Sequence, residues 1–175
     1  MRLCFFVTPI IPLLVGCSAA KPLPATVSKS KSDPVSFFVG HTRSDGVIEN
    51  RGGKPTQRIT TETIGTWKDS ILHIEQDLFP ESGKKNHRSW NLRRVDATHL
   101  EATANDIYGS ALGVLKGDEF SWTFRVKFLN RKFVRHLQMS QNFYLMPDGK
   151  TMIIRSVLRK FSFVVAQITE EFKKE

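Results

Sequence analysis

Four side chains in the middle of the chain, Glu75, Arg88, Trp90 and Asp106, are of the types that hold charged or hydrogen-bonding groups. A carboxylate and a guanidinium enclosed together make a bidentate pair, and the same guanidinium receives an anionic headgroup. The same residues read equally as a structural ion pair closing one end of a fold, with Trp90 plugged against it. Trp122 and Phe124, with Phe120 and Phe128 on the same stretch, offer apolar surface that either encloses a lipid-like molecule or fills a solid core. The sequence has no nucleophile elbow, phosphate loop, zinc-protease helix or dinucleotide fingerprint. Its five histidines are scattered without metal-ligand spacing. The expectation is a protein that is not an enzyme and has no cofactor or metal. An enzymatic reading would need a titratable group in a cavity with a displaced pKa.

These residues must be positioned by strands. In Phe120 to Phe128, the residues Phe120, Trp122, Phe124, Val126 and Phe128 fall on one face, with Ser121, Thr123, Arg125 and Lys127 on the other. A helix would scatter those aromatics around its circumference, so period two predicts a half-buried strand. Leu72, Ile74 and Leu78 likewise share a face opposite His73, Glu75 and Asp77. Leu100, Ala102 and Ala104 alternate with Glu101, Thr103 and Asn105, and Leu137 and Met139 continue an alternation from Phe133. Residues 56–66 and 151–158 are β-branched, and the β-branched content of 161–173 favours strand over helix there. Turn-like clusters around Gly52-Gly53, Pro80 to Lys84 and Pro147 to Lys150 separate the runs. The glycines around Gly109 and Gly113 mark a bulge or corner, or a close approach to a ligand. Eight to ten strands joined by short turns predict an all-β, antiparallel up-and-down barrel, with a β-sandwich as the alternative. Charged outward faces argue against a membrane-spanning barrel.

Residues 1–16 read as an address. Arg2 precedes an apolar stretch, Leu3 to Val15, that contains Pro9 and Pro12 and is shorter than the roughly 20 residues of a spanning helix. The segment ends Leu14-Val15-Gly16-Cys17, which resembles the lipobox of bacterial lipoproteins. In that motif the small residues admit the chain to the signal peptidase, and the Cys17 thiol accepts diacylglycerol before becoming the first residue. The domain organisation expected is a signal peptide over 1–16, a lipidated cysteine and flexible linker over 17–34, and a barrel over 35–175. Two or three acyl chains hold a protein stably on a membrane. Ser18 stands where aspartate would signal inner-membrane retention, so the expected location is the outer membrane, facing the periplasm.

The chain of 175 residues carries a net charge of +9, enough length for one domain with a single core. An exported address makes nucleic acid a poor partner for that charge. Anionic lipid headgroups, lipopolysaccharide phosphates or peptidoglycan carboxylates fit it better, as does a mixed charged surface that merely keeps the domain soluble. Lys84, Lys85, His87, Arg88, Arg93 and Arg94 form one basic stretch, and Arg125, Lys127, Arg131, Lys132 and Arg135 a second. Placed on one rim, the two would attract phosphate headgroups to a cavity mouth. Protein partners are not indicated by any motif.

The order of short motifs from Phe37 onward resembles the DUF3833 family of uncharacterised bacterial lipoproteins. The matching residues are Phe38 and Gly40, Gly46, Gly65-Thr66-Trp67, Leu72 through Glu75 to Phe79, Gly83, and Arg88-Ser89-Trp90. They continue through Ala104 to Gly109, Gly113, Gly117 and Trp122 to Tyr144-Leu145-Met146, Asp148-Gly149, Lys160-Phe161 and Thr169. The sequence departs from the family at Ser140-Gln141, Ile154 and Ser162. The resemblance implies a lipid-anchored, lipocalin-like domain without an established activity. Together these readings predict a non-catalytic module on the membrane that binds a lipid or other apolar small molecule. The alternative is an envelope-structural or protein-interaction lipoprotein without a ligand cavity.

Overall fold

The computed structural model describes residues 33–127 and 137–175. The ten strands found there are β1 (Gly40–Asn50), β2 (Pro55–Lys68), β3 (Ile71–Pro80), β4 (Asn86–Arg94) and β5 (His99–Ala104), then β6 (Ile107–Lys116), β7 (Glu119–Val126), β8 (Leu137–Leu145), β9 (Thr151–Lys160) and β10 (Phe163–Lys174). Each pairs antiparallel with its chain neighbours, and β1 closes the ring on β10. The molecule is a closed, up-and-down, lipocalin-like barrel, and the sandwich alternative is excluded by the β1–β10 ladder. The segments expected to be a signal peptide and a linker lie, with Cys17, outside the described residues up to residue 32, as do Phe128, Arg131, Lys132, Phe133 and Arg135.

Alternation is the rule that builds the interior. Phe120, Trp122, Phe124 and Val126 all point inward and are buried, as their period-two spacing predicts. Leu72, Ile74, Trp90, Leu92, Met152, Ile154 and Phe172 complete the same core from other strands. The register of β6 against β7 shifts between Tyr108 and Leu112, and Gly109 there has a φ of 68°. The small-residue run after Asp106 is therefore a bulge, which bends the strand without a side chain to clash.

The two ends of the barrel differ. At one end a short 3-10 turn, Ser36–Phe38, forms a floor. Phe38 sets its ring edge-on to Phe143 and Phe172, at centroid distances of 6.1 and 6.0 Å. Gly65 lies beneath that turn, and a Cβ on it would come within 1.9 Å of the Phe38 carbonyl oxygen. Asp33 holds the turn by accepting hydrogen bonds from the Ser36 amide and hydroxyl while pairing with Arg94. Contacts with the barrel thus begin at Asp33 and at the buried Pro34, ahead of Val35. At the other end no such turn covers the described residues. There, the inward-facing Ile48, Leu78, Leu158 and Ile168 are only half-buried and form an apolar throat.

Candidate functional site

Below the throat, polar side chains converge on a chamber of about 40 Å³. Its walls include Thr61, Gln76, Arg88, Gln141 and Glu170, set among Trp90, Trp122, Phe38 and Phe120. Each position follows from strand parity. Gln76 continues the inward series Leu72–Ile74, Gln141 continues Leu137–Met139, and Glu170 precedes Phe172 by two residues.

Glu170 is the most deeply placed ionisable group of this chamber, only 7% exposed. The Ser44 and Thr61 hydroxyls both donate to its Oε1, at 2.8 and 2.7 Å. Burial raises its pKa, outweighing those two bonds and the charge of Arg88. A carboxyl raised in this way keeps its proton to higher pH than an exposed one, and in that form offers an O–H donor. Among the described residues no other group bonds Oε2, so that oxygen is available to the chamber.

Two tryptophans carry the polar network across the barrel. Trp90 and Trp122 stack with centroids 4.7 Å apart. Trp90 Nε1 donates to Gln76 at 2.9 Å, and Trp122 Nε1 donates to Gln141 at 2.8 Å. Gln141 in turn donates to the Ser156 hydroxyl at 2.8 Å. Each indole thus has its one donor satisfied, which fixes both amides and both rings.

Arg88 and Asp106 close the chamber toward the throat. Asp106 sits in the tight turn between β5 and β6, and Arg88 donates to its Oδ2 through Nε and Nη2, at 2.8 and 2.6 Å. The guanidinium also lies 5.4 Å from the Trp90 ring and 5.7 Å from the Phe124 ring. Asp106 Oδ1 is buried without a hydrogen-bond partner. The structure therefore brings together Arg88, Trp90, Asp106, Trp122 and Phe124.

Glu75 is not part of that group. It lies on the outward face of β3, where its carboxylate accepts from Ser89 and meets His87 Nε2 at 2.9 Å. The reason is parity: Ile74 and Gln76 point in, so Glu75 points out. On the same outer face His87 Nδ1 lies 2.9 Å from Asp77 Oδ1, and Ser89 Oγ lies 3.2 Å from His87 Nε2. That juxtaposition has the order of a nucleophile, base and orienting acid. It sits on a convex exposed surface, and bonding to Asp77, against some desolvation and with Glu75 adding to it, raises the His87 pKa. An imidazole that keeps its proton is a poor base, and the serine hydroxyl is already donated to Glu75.

Glu170, Gln76, Gln141 and Thr61 are not among the candidate site residues read from the sequence. The alternation Ile168–Glu170–Phe172 was a usable signal for Glu170. The basic stretches are divided by the fold: Lys84, Lys85, Arg125 and Lys127 lie at the throat end, Arg88 points inside, and Arg93 and Arg94 lie at the floor end. No group of His, Cys, Asp and Glu among the described residues has the arrangement of a metal site. No helix among them is long and apolar enough to cross a membrane.

A family model described as a protein of unknown function, DUF3833, matches residues 11–174. No curated protein sequence matches the chain. Among solved structures, an S-type phycobiliprotein lyase from Guillardia theta superposes with a TM-score of 0.61 at 10% identity, over 84% of this chain and 95% of that one. The protein Rv2717c of M. tuberculosis superposes with a TM-score of 0.59 at 12% identity, over 81% and 94%. A protein of unknown function of the DUF3598 family from Nostoc punctiforme gives 0.56 at 10% identity, over 81% of this chain and 49% of that one. At such identities the likeness establishes the barrel fold alone.

Proposed function

The chain belongs to the DUF3833 family, and from that premise and the geometry of its barrel we propose that it is a non-catalytic binding module for a small amphiphilic molecule. One observation carries the reading: an apolar throat leads to a chamber where a buried carboxyl, two amides and a guanidinium converge. A barrel needing only stability would fill this volume with hydrocarbon, because buried polar groups add little net stability. In this reading the ligand's polar end meets Glu170, Gln76 and Gln141, and its apolar part occupies the throat. A chamber of about 40 Å³ holds about two or three waters, so the ligand's polar end is small. The bulk of the ligand lies between Ile48, Leu78, Leu158 and Ile168. Acylation at Cys17 would hold the module on the outer membrane, facing the periplasm.

Glu170 meets the condition set for an enzymatic reading, a titratable group with a displaced pKa inside a cavity. Its neighbours, however, are hydroxyls that donate to it, and the next carboxyl, Asp106, is paired with Arg88. The group is arranged to donate a hydrogen bond.

A second reading has its own observation. The aromatic inner face fills most of the barrel, and usual ligand pockets run to roughly 300–1,000 Å³. That favours an envelope protein whose barrel only displays a surface. The two readings are separated by purifying the acylated protein from its native membrane and identifying co-extracted small molecules by mass spectrometry. A detergent blank and an unrelated protein with the same anchor are the controls. One enriched amphiphile, whose re-addition changes the fluorescence of Trp90 and Trp122, supports the binding module. Nothing above the controls leaves the displayed surface as the function, and a crosslinking search for protein partners follows.

A further inference from the structure

We propose that the throat end of the barrel docks face-on to an anionic phospholipid bilayer. The inference rests on the outer surface of that end and stands whether or not the chamber takes a ligand. Three turns or strand ends around the rim each place a lysine over an aromatic ring. Lys85 lies 5.2 Å from the Phe79 centroid, Lys127 5.5 Å from Tyr108, and Lys160 5.9 Å from Phe161. Phe161 and Phe163 are 70% and 78% exposed, the most exposed large apolar side chains among the described residues. Such rings sit at headgroup level in a bilayer, with the lysine reaching phosphate.

A second, independent feature of the same rim is a row across neighbouring strands. Tyr108, Arg125, Gln138 and Arg159 are consecutive register partners on the outward face of β6, β7, β8 and β9. Arg125, Gln138 and Arg159 border, with Phe161, an open depression on the surface. Among the described residues neither Arg125 nor Arg159 has a carboxylate partner. At the floor end, by comparison, Arg94 pairs with Asp33 and Arg93 pairs with Glu101. Arg125 and Arg159 are therefore the cations of this rim that stay open to an anionic partner, beside Lys85, which also pairs with Asp77. Open cations of this kind are drawn to an anionic lipid surface.

The chain leaves the barrel at the floor, through Asp33, on the side away from this rim. Residues 18–32 reach at most about 50 Å when extended. Strands of this length, tilted in a barrel, stand about 25 Å tall. An anchor at Cys17 is therefore long enough to let the domain turn its rim toward the membrane that holds it.

The test uses the full chain with Cys4→Ser and Cys17→Ser, so that acylation contributes nothing. A polarity-sensitive dye is attached at Phe163→Cys on the rim or at Val95→Cys on the floor side. Each is titrated with vesicles of phosphatidylcholine alone or with phosphatidylglycerol. The expected result is a blue shift at position 163 with phosphatidylglycerol only, reversed by salt, and no shift at position 95. The variant Lys85→Glu/Arg125→Glu/Lys127→Glu/Arg159→Glu, with circular dichroism unchanged, then needs at least tenfold more lipid. Equal shifts in neutral and anionic vesicles, or equal shifts at the two positions, overturn the proposal. Should the fourfold variant misfold, the comparison of positions 163 and 95 in the parent decides alone.

Discussion

Gly46 stands directly across the β1–β10 ladder from Glu170, and a Cβ built on it would lie 2.6 Å from Glu170 Cγ and 2.5 Å from the Thr169 carbonyl oxygen. The missing side chain is what lets the carboxyl lie along the barrel wall between Ser44 and Thr61. Gly46 therefore belongs to the chamber, although it has no functional group.

Gly46→Ala is accordingly expected to destabilise the fold by about 1–3 kcal/mol, the usual cost of overpacking a closed core. Urea denaturation measures this. Gly53→Ala, in the turn between β1 and β2 with nothing near its Cβ position, gives the cost of backbone strain alone. If the two substitutions prove equally mild, the close approach of Gly46 to Glu170 has no energetic weight.

Glu170 gives the protein a pH dependence whose sign follows from its raised pKa. In the unfolded chain the carboxyl ionises near about pH 4.3. In the barrel it keeps its proton to higher pH. Between the two values the folded state binds more protons, so Glu170 contributes less stability as pH rises through this window. Glu170→Gln keeps an oxygen for Ser44 and Thr61 and removes the titration. The variant is expected to gain stability relative to wild type on going from pH 4 to pH 8, as measured by denaturation at both. A constant difference would show that Glu170 ionises alike in both states.

Arg88 and Asp106 make a pair whose side chains are only 12% and 23% exposed. Removing one partner leaves the other charge enclosed, so Arg88→Ala or Asp106→Ala alone is expected to cost about 2–3 kcal/mol. Arg88→Met combined with Asp106→Leu should recover most of that loss. A double-mutant cycle by denaturation reads the coupling, and a coupling near zero would reduce the pair to a contact without weight. Retained stability in the double variant, together with lost retention of the co-extracted amphiphile, would assign the guanidinium to ligand recognition.

The barrel was legible because alternation is read directly from residue types. Phe120 to Val126 alone specify a strand with one buried face, and the turn clusters set its neighbours. The same rule already placed Glu75 with His73 and Asp77, opposite Leu72 and Ile74, so its exclusion from the interior was there to be read. Arg88, Trp90 and Asp106 meet because a strand and a nearby tight turn bring them together. Glu170 was hidden for a different reason. Beside Glu171 and Lys173 it resembles an ordinary charged tail, and what encloses it are hydroxyls 109 and 126 residues away in the chain. The β1–β10 closure that joins them is a long-range pairing that local pattern does not encode. The bonds of Gln141 to Trp122 and Ser156 exist only once β7, β8 and β9 are in register.

His87 supplies the last prediction, and it bears on whether Ser89 is reactive. The imidazole has a carboxylate at each nitrogen, Asp77 at Nδ1 and Glu75 at Nε2, both at 2.9 Å. The bond to Asp77 does most to raise its pKa, some desolvation opposes this, and Glu75 adds to the rise. A raised folded-state value means the cluster contributes stability below about pH 6.5, the unfolded value, and loses it as pH climbs through the folded one. Proton NMR of the ring is expected to give a midpoint above that of an ordinary histidine, and Asp77→Asn should bring it down. Over the range in which His87 is charged it donates from both nitrogens and has no lone pair with which to take the Ser89 proton. A fluorophosphonate probe should therefore leave Ser89 unlabelled below that midpoint. Labelling that rises with the deprotonation of His87, and disappears in His87→Ala, would instead make this outer face of the barrel a hydrolytic site.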